Sequence, residues 1–135
     1  MAQPPKQQRY FFRPENRVKK RADFLAVYAN GKCYRRRLVH VFVLREESSE
    51  TPVRIGFTAT RKIGGAVVRN RLKRLGREAF RIALPEMHGG FTVVVNFLRA
   101  ASESSYAQLE EQLRSAWTDS GVLKQQPSGG AETAN

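Results

Sequence analysis

The sequence predicts a single α+β domain with the element order helix, strand, strand, helix, strand, helix and room for a further short strand. Three observations carry that expectation. The chain has 135 residues, a length that suits one domain around one core. Three short apolar runs, bounded by turn-forming residues, read as strands. Three further stretches carry apolar residues at helical spacing and end in stop signals.

The elements follow in order. A first helix is expected over residues 21–30, with Gly31 as its stop. RLVHVFVLR, residues 37–45, reads as a strand in which Val39, Val41 and Val43 face one way. Leu38, His40, Phe42 and Leu44 face the other. The polar link 46–52 is hairpin-like, and a second strand covers 53–60. The motif helix covers 66–84 and ends at Pro85. Gly89 and Gly90 precede a third strand over 91–98. Ser105 and Gln108 form a capping box for a last helix over 106–119, and Gly121 ends it. Its stripe of Tyr106, Leu109, Leu113, Ala116 and Trp117 reads as core. Residues 18–121 form the expected domain. Residues 1–17 read as a flexible basic arm, in which Tyr10, Phe11 and Phe12 either dock on the domain or stack on bases. Residues 122–135 read as a disordered tail.

The formal net charge is +12, and it is localised. Residues 1–37 carry 11 Lys and Arg against Glu15 and Asp23, and residues 61–81 carry 8 against Glu78. From residue 82 on, acids outnumber bases. Such a surface calls for a polyanion, and nucleic acid fits best. No run reaches the roughly 20 apolar residues that span a bilayer, and the N-terminal segment lacks a signal-peptide core. Cys33 is the only cysteine, so no disulfide forms within the chain and a cysteine-based zinc site is not expected. These points lead to the expectation of a soluble cytoplasmic protein.

The densest signal is TRKIGGAVVRNRLKRLGRE, residues 60–78. On the motif helix Val68, Leu72, Leu75, Ala79 and Ile82 form the expected sheet-facing stripe. Arg69, Lys73, Arg77 and Arg81 recur on the far side, with Asn70 and Arg74 beside them. Arg71 falls near the stripe's edge, and Glu78 is spaced to pair with Arg74. Phe80 and Leu84 do not fit the stripe and are expected under the last helix. Arg and Lys one turn apart can meet successive phosphates. Gly64 and Gly65 let backbone N–H groups approach phosphate oxygens at a helix N-terminus. Such a surface reads shape and backbone more than sequence. Gly76, mid-helix, costs about 1 kcal/mol relative to Ala and is read either as tolerated drift or as a close backbone approach. A second surface is expected where the first helix rests on the sheet: Phe24, Tyr28, His40 and Phe42 would surround a groove suited to stacking bases. Phe24 and Phe42 read equally as core.

The block Thr60-Arg61-Lys62-Ile63-Gly64, followed by Ala66-Val67-Val68-Arg69-Asn70-Arg71-Leu72-Lys73-Arg74, resembles the signature of the bacterial ribonuclease P protein family. Arg17-Val18-Lys19-Lys20, Asp23-Phe24, Tyr28 and Gly31 extend the resemblance upstream, so that it covers roughly residues 17–119. It implies an α/β sandwich, ribosomal-protein-like, with a left-handed crossover at the motif helix. It implies a subunit that joins a catalytic RNA and helps it remove the 5′ leader of precursor tRNA. The hydrolysis would lie in the RNA with bound Mg²⁺, with no cofactor on the protein alone and no obligate protein partner. By the same resemblance Arg61, Lys62, Arg69, Asn70, Arg71, Lys73, Arg74 and Arg77 would face the catalytic RNA. Phe24, Tyr28, His40 and Phe42 would line the leader groove. Four features depart from the family pattern: Thr60 and Arg61 stand where Ser and Lys are commoner, Gly76 replaces a larger residue, and His40 stands at a position often apolar. The alternative is a non-enzymatic RNA-binding assembly protein. A self-contained nuclease would need convergent carboxylates or an acid/base pair. Asp23, Glu46, Glu47, Glu50, Glu78 and Glu86 are scattered, and His88 sits in a loop.

Overall fold

Alternation along the strands gives the sheet two different faces. The computed structural model describes residues 13–124. Its elements are α1 (Arg21–Asn30), β1 (Lys32–Arg35), β2 (Val39–Arg45), β3 (Arg54–Thr58), α2 (Ala66–Ala83), β4 (Phe91–Phe97) and α3 (Tyr106–Ser120), with short 3-10 turns at Pro14–Asn16, Leu84–Glu86 and Arg99–Glu103. The four strands lie in the order β1-β2-β4-β3. β2 pairs antiparallel with β1 and β4, while β3 and β4 run parallel. Parallel neighbours need a crossover, and α2 supplies it. β4 is central, and six of its seven residues are buried. A run covered on both faces is apolar without alternation.

One face carries Val39, Val41, Val43, Ile55, Val93, Val95 and Phe97. They join Leu72, Ala79, Phe80 and Ala83 of α2 and Leu109, Leu113, Ala116 and Trp117 of α3 in one core. The Phe80 and Trp117 rings meet edge to face at 6.3 Å, which bears out the expected place of Phe80. The expected stripe of α2 holds at Leu72 and Ala79, which are buried, and at Val68 and Leu75, which pack against the core; it is corrected at Ile82. Ile82 is 42% exposed, while Gly76, Phe80 and Ala83 are buried. At about 100° per residue from Leu72, the buried residues Ala79, Ala83, Gly76 and Phe80 run from about −20° to about +80°, whereas Ile82 stands at about −80°, off the opposite edge. Gly76 is explained by the sheet beneath it: a Cβ there would lie 2.6 Å from Cε1 of Phe57 and 3.1 Å from Phe97. The close approach is of an aromatic ring, not of a backbone.

The last helix is capped as its sequence predicts. Ser105 and Gln108 make both capping-box bonds, and Gly121 adopts φ 91°. Gly31 works differently from a left-handed cap. Its backbone is extended, and a Cβ would collide with the carbonyl oxygens of Val27 and Val43. The further short strand is β1, paired with β2. The fold starts before the expected end of the arm and runs past the expected start of the tail. Asn16 is buried with its Nδ2 donating to the Val53 carbonyl at 2.8 Å, and Arg17 bridges Ile55 beside β3. Val122 and Leu123 are buried, and Leu123 bridges Met87. Tyr10, Phe11, Phe12 and residues 125–135 lie outside the described residues.

Candidate nucleic-acid interface

The second face of the sheet is organised in rows set by the register. Cys33, Phe42, Val94 and Gly56 form one row, and Arg35, His40, Asn96 and Thr58 form the next. α1 covers the first row. Its Val27 is buried, and the Phe24 ring lies so close that a Cβ on Gly56 would meet it at 2.6 Å. Tyr28 stands edge-on to Phe42, with ring centroids 4.9 Å apart. The second row is left uncovered. His40, Thr58 and Asn96 line a depression of about 530 Å³ with Thr60, Lys62 and Arg99. Phe24, Leu25, Tyr28 and Thr58 line a neighbouring one of about 510 Å³ with Lys19 and Arg21. Neither depression has a carboxylate in its lining. The four residues expected to form a groove are thus brought together on this face, all half-buried. Phe24 is both packing and wall: it seals Gly56 and lines the second depression.

Sequence reasoning missed Asn96, Thr58 and Arg99. Asn96 had a visible signal, since it is the polar break in FTVVVNF. Thr58 and Arg99 had none. The place of Thr58 near His40 comes from strand pairing through Asn96, and that of Arg99 from the turn that follows β4.

Next to the groove, the chain turns into α2. Arg61 and Lys62 are exposed, and Gly65 caps α2 without a side-chain bond. The first turn of α2 holds no acidic residue, so its N–H groups present the partial positive charge of the helix end. On α2 itself the expected cationic row is redrawn. Arg69 donates through Nε to the Gly64 carbonyl at 3.1 Å, and Arg71 through Nη2 to the Ser104 carbonyl at 2.6 Å. Both fasten the N-terminal part of α2, one to the preceding turn and one to the segment before α3. Arg81 pairs with Glu78 at 2.6 Å, so Glu78 is not the partner of Arg74. Lys73 is half-buried. The outward stripe is Asn70, Arg74 and Arg77, which are exposed and without a hydrogen-bond or ion-pair partner among the described residues. The shift has a geometric cause: positions four apart advance about 40° each, so the row 69, 73, 77, 81 spirals out from the flank of the helix.

Other chemistry on the described surface is sparse. No group of three His, Cys, Asp or Glu among the described residues could hold a metal ion. No described helix is long and apolar enough to cross a membrane. Burial, with the Glu110 carboxylate next in weight, holds the Tyr106 phenol above its ordinary value. That residue packs against the other face and takes no part in this site.

A family model described as Ribonuclease P matches residues 12–121. The chain belongs to the ribonuclease P protein family. The ribonuclease P protein component of Symbiobacterium thermophilum is 38% identical over 110 residues, 82% of this chain and 95% of that protein. The one from a Pseudanabaena species is 36% identical over 110 residues, 81% and 94% of the two chains. The fold agrees as well. A Staphylococcus aureus RNase P protein, a mutant with defective mRNA degradation activity, superposes with a TM-score of 0.74 at 27% identity, covering 80% of this chain and 90% of that one. The RNase P protein of Thermotoga maritima gives 0.67 at 29% identity over 74% and 93%. The mixed α+β domain with a four-stranded sheet and three helices is therefore that of the ribonuclease P family.

Proposed function

We propose that this chain is the protein subunit of ribonuclease P. Through Arg61, Lys62 and the outward stripe Asn70, Arg74 and Arg77 it binds a catalytic RNA. Arg69, Arg71 and Lys73, on the flank, add charge, and Arg69 and Arg71 also tie α2 to neighbouring carbonyls. The groove of Phe24, Tyr28, His40 and Phe42 takes the single-stranded 5′ leader of precursor tRNA, and the assembly removes that leader in the cytoplasm.

One observation carries the reading. Lys62 of the cationic turn lines the same depression as His40, Thr58 and Asn96, so the groove opens directly onto the surface proposed for the RNA. A strand running from a tRNA held on that RNA would enter the groove without leaving positive potential. Phosphate contacts place a chain, and rings accept bases with little sequence preference. The chemistry is assigned to the RNA and its Mg²⁺, because neither depression offers a carboxylate or an acid/base pair. The protein's part is to bind and orient, which raises the effective concentration of leader at the RNA's active centre.

Precursor-tRNA cleavage at low Mg²⁺ tests this, with a bacterial ribonuclease P RNA alone, this protein alone, and both. Cleavage with both and with neither alone is the expected result. Cleavage by the protein alone would overturn the division of labour. No rescue with several such RNAs would move the chain to a non-enzymatic RNA-binding protein.

A further inference from the structure

Asn96 carries more information than a polar wall. Its Oδ1 accepts two hydrogen bonds, from the Tyr28 hydroxyl at 2.8 Å and from the Thr58 hydroxyl at 2.6 Å. One donor comes from α1 and the other from β3, so the amide is clamped from both sides. A carbonyl oxygen has two lone pairs, and here both are used. What remains is the Nδ2 group, two hydrogens without a partner among the described residues, on a half-buried side chain that lines the depression. A free amide can turn either way and offer donor or acceptor. Here the two hydroxyls converge on Oδ1, which leaves Nδ2 as the group without a partner.

We infer that Asn96 is a specificity-determining residue of the groove: Tyr28 and Thr58 hold its carbonyl, and its amide N–H group donates to a hydrogen-bond acceptor of the nucleotide lying over β4. The inference rests on the leader-binding reading of this groove and sharpens it. The acceptor is a base carbonyl or ring nitrogen, or a phosphate oxygen. These share one chemistry, an oxygen or nitrogen lone pair facing the sheet. A nucleotide presenting a donor at that point meets a second donor and leaves both unpaired, which is the costly arrangement. Thr58 and Tyr28 act here as positioning residues, and Asn96 alone makes the contact.

The test is equilibrium binding of precursor tRNA and of mature tRNA to the complex of this protein with a ribonuclease P RNA. Asn96→Ala should weaken leader-bearing substrate about three- to ten-fold, the range of one neutral hydrogen bond, and leave mature tRNA unchanged. Leaders with a single abasic nucleotide, scanned along the strand, then locate the contact. If the Asn96→Ala penalty disappears at one abasic position, the acceptor is on a base. If it survives every abasic position and disappears with a single methylphosphonate, the acceptor is a phosphate oxygen.

Thr58→Val keeps the shape and removes one clamp. It should reduce discrimination between acceptor-bearing and acceptor-lacking leaders, and Thr58→Ser should restore it. A purely structural role would lower binding of all leaders alike. Should Asn96→Ala bind every leader as the unaltered protein does, while Tyr28→Ala still loses leader binding, the Asn96 inference falls and the groove stands. Should the unaltered protein bind precursor and mature tRNA equally, the groove reading falls and takes this inference with it.

Discussion

The two faces of the sheet are written in the same strands one residue apart, yet they end as different materials. On one face, Val39, Val41, Val43, Val93 and Val95 vanish under α2 and α3 into a single core. On the other, α1 is only 10 residues long and covers one row. The row of His40, Asn96 and Thr58 beyond it stays open. The core lies where two helices seal the sheet, and the proposed binding surface where one helix is too short to do so. The comparison teaches that the groove is an uncovered part of the fold. It needs no separate scaffold, since the strands that form it are anchored in the core by their other face.

The largest effect should come from the sealed face. Trp117→Ala removes a fully buried indole and should cost about 3–5 kcal/mol, read as a fall in the urea midpoint with little change in slope. An unaltered midpoint would contradict the assignment of Trp117 to the core. Next comes Gly76→Ala. Helix propensity alone favours it by about 1 kcal/mol, but the new Cβ meets the Phe57 ring, itself stacked on Phe97. Net destabilisation of about 1–3 kcal/mol is expected, and a stabilised variant would show that the ring yields freely.

The open face should respond in binding. Replacing Phe24 and Tyr28 by Ala should weaken leader-bearing substrate by about 1–3 kcal/mol per lost base stack and mature tRNA much less. Because Phe24 also packs on Gly56, its variant should lose some stability too, whereas Tyr28→Ala separates the two effects. Equal losses for both substrates would make these rings core. Smallest is the double change Arg74→Ala and Arg77→Ala, which removes no side-chain hydrogen bond or ion pair among the described residues. Folding should be unchanged, while the salt dependence of affinity for the catalytic RNA should flatten by about one to two ion equivalents. A salt slope identical to that of the unaltered protein would remove this stripe from the RNA contact.

Much of this was legible in the chain. The capping box at Ser105 and Gln108, the start of α2 after Gly65, and the alternation of β2 all follow from local rules, and the structure agrees with each. Phe24, Tyr28, His40 and Phe42 could be grouped because α1 and β2 are close in sequence and share apolar spacing. Asn96 and Thr58 could not. Their meeting with Tyr28 depends on β3 pairing parallel to β4 across α2, a contact between residues 38 apart in the chain. The roles of Arg69 and Arg71 were hidden for the same reason. Periodicity shows which way a cation points, but not whether a carbonyl such as that of Ser104 waits for it.

By itself, then, the sequence determined where helices and strands form, which side of each is apolar, where positive charge collects and which family the signature resembles. These depend on neighbours within a turn or two of chain. Tertiary structure decided which cations remain free, why Gly76 must be small, and how a tyrosine and a threonine come to clamp one asparagine. Those outcomes depend on which distant groups are brought within 3 or 4 Å, and local spacing carries no record of that distance.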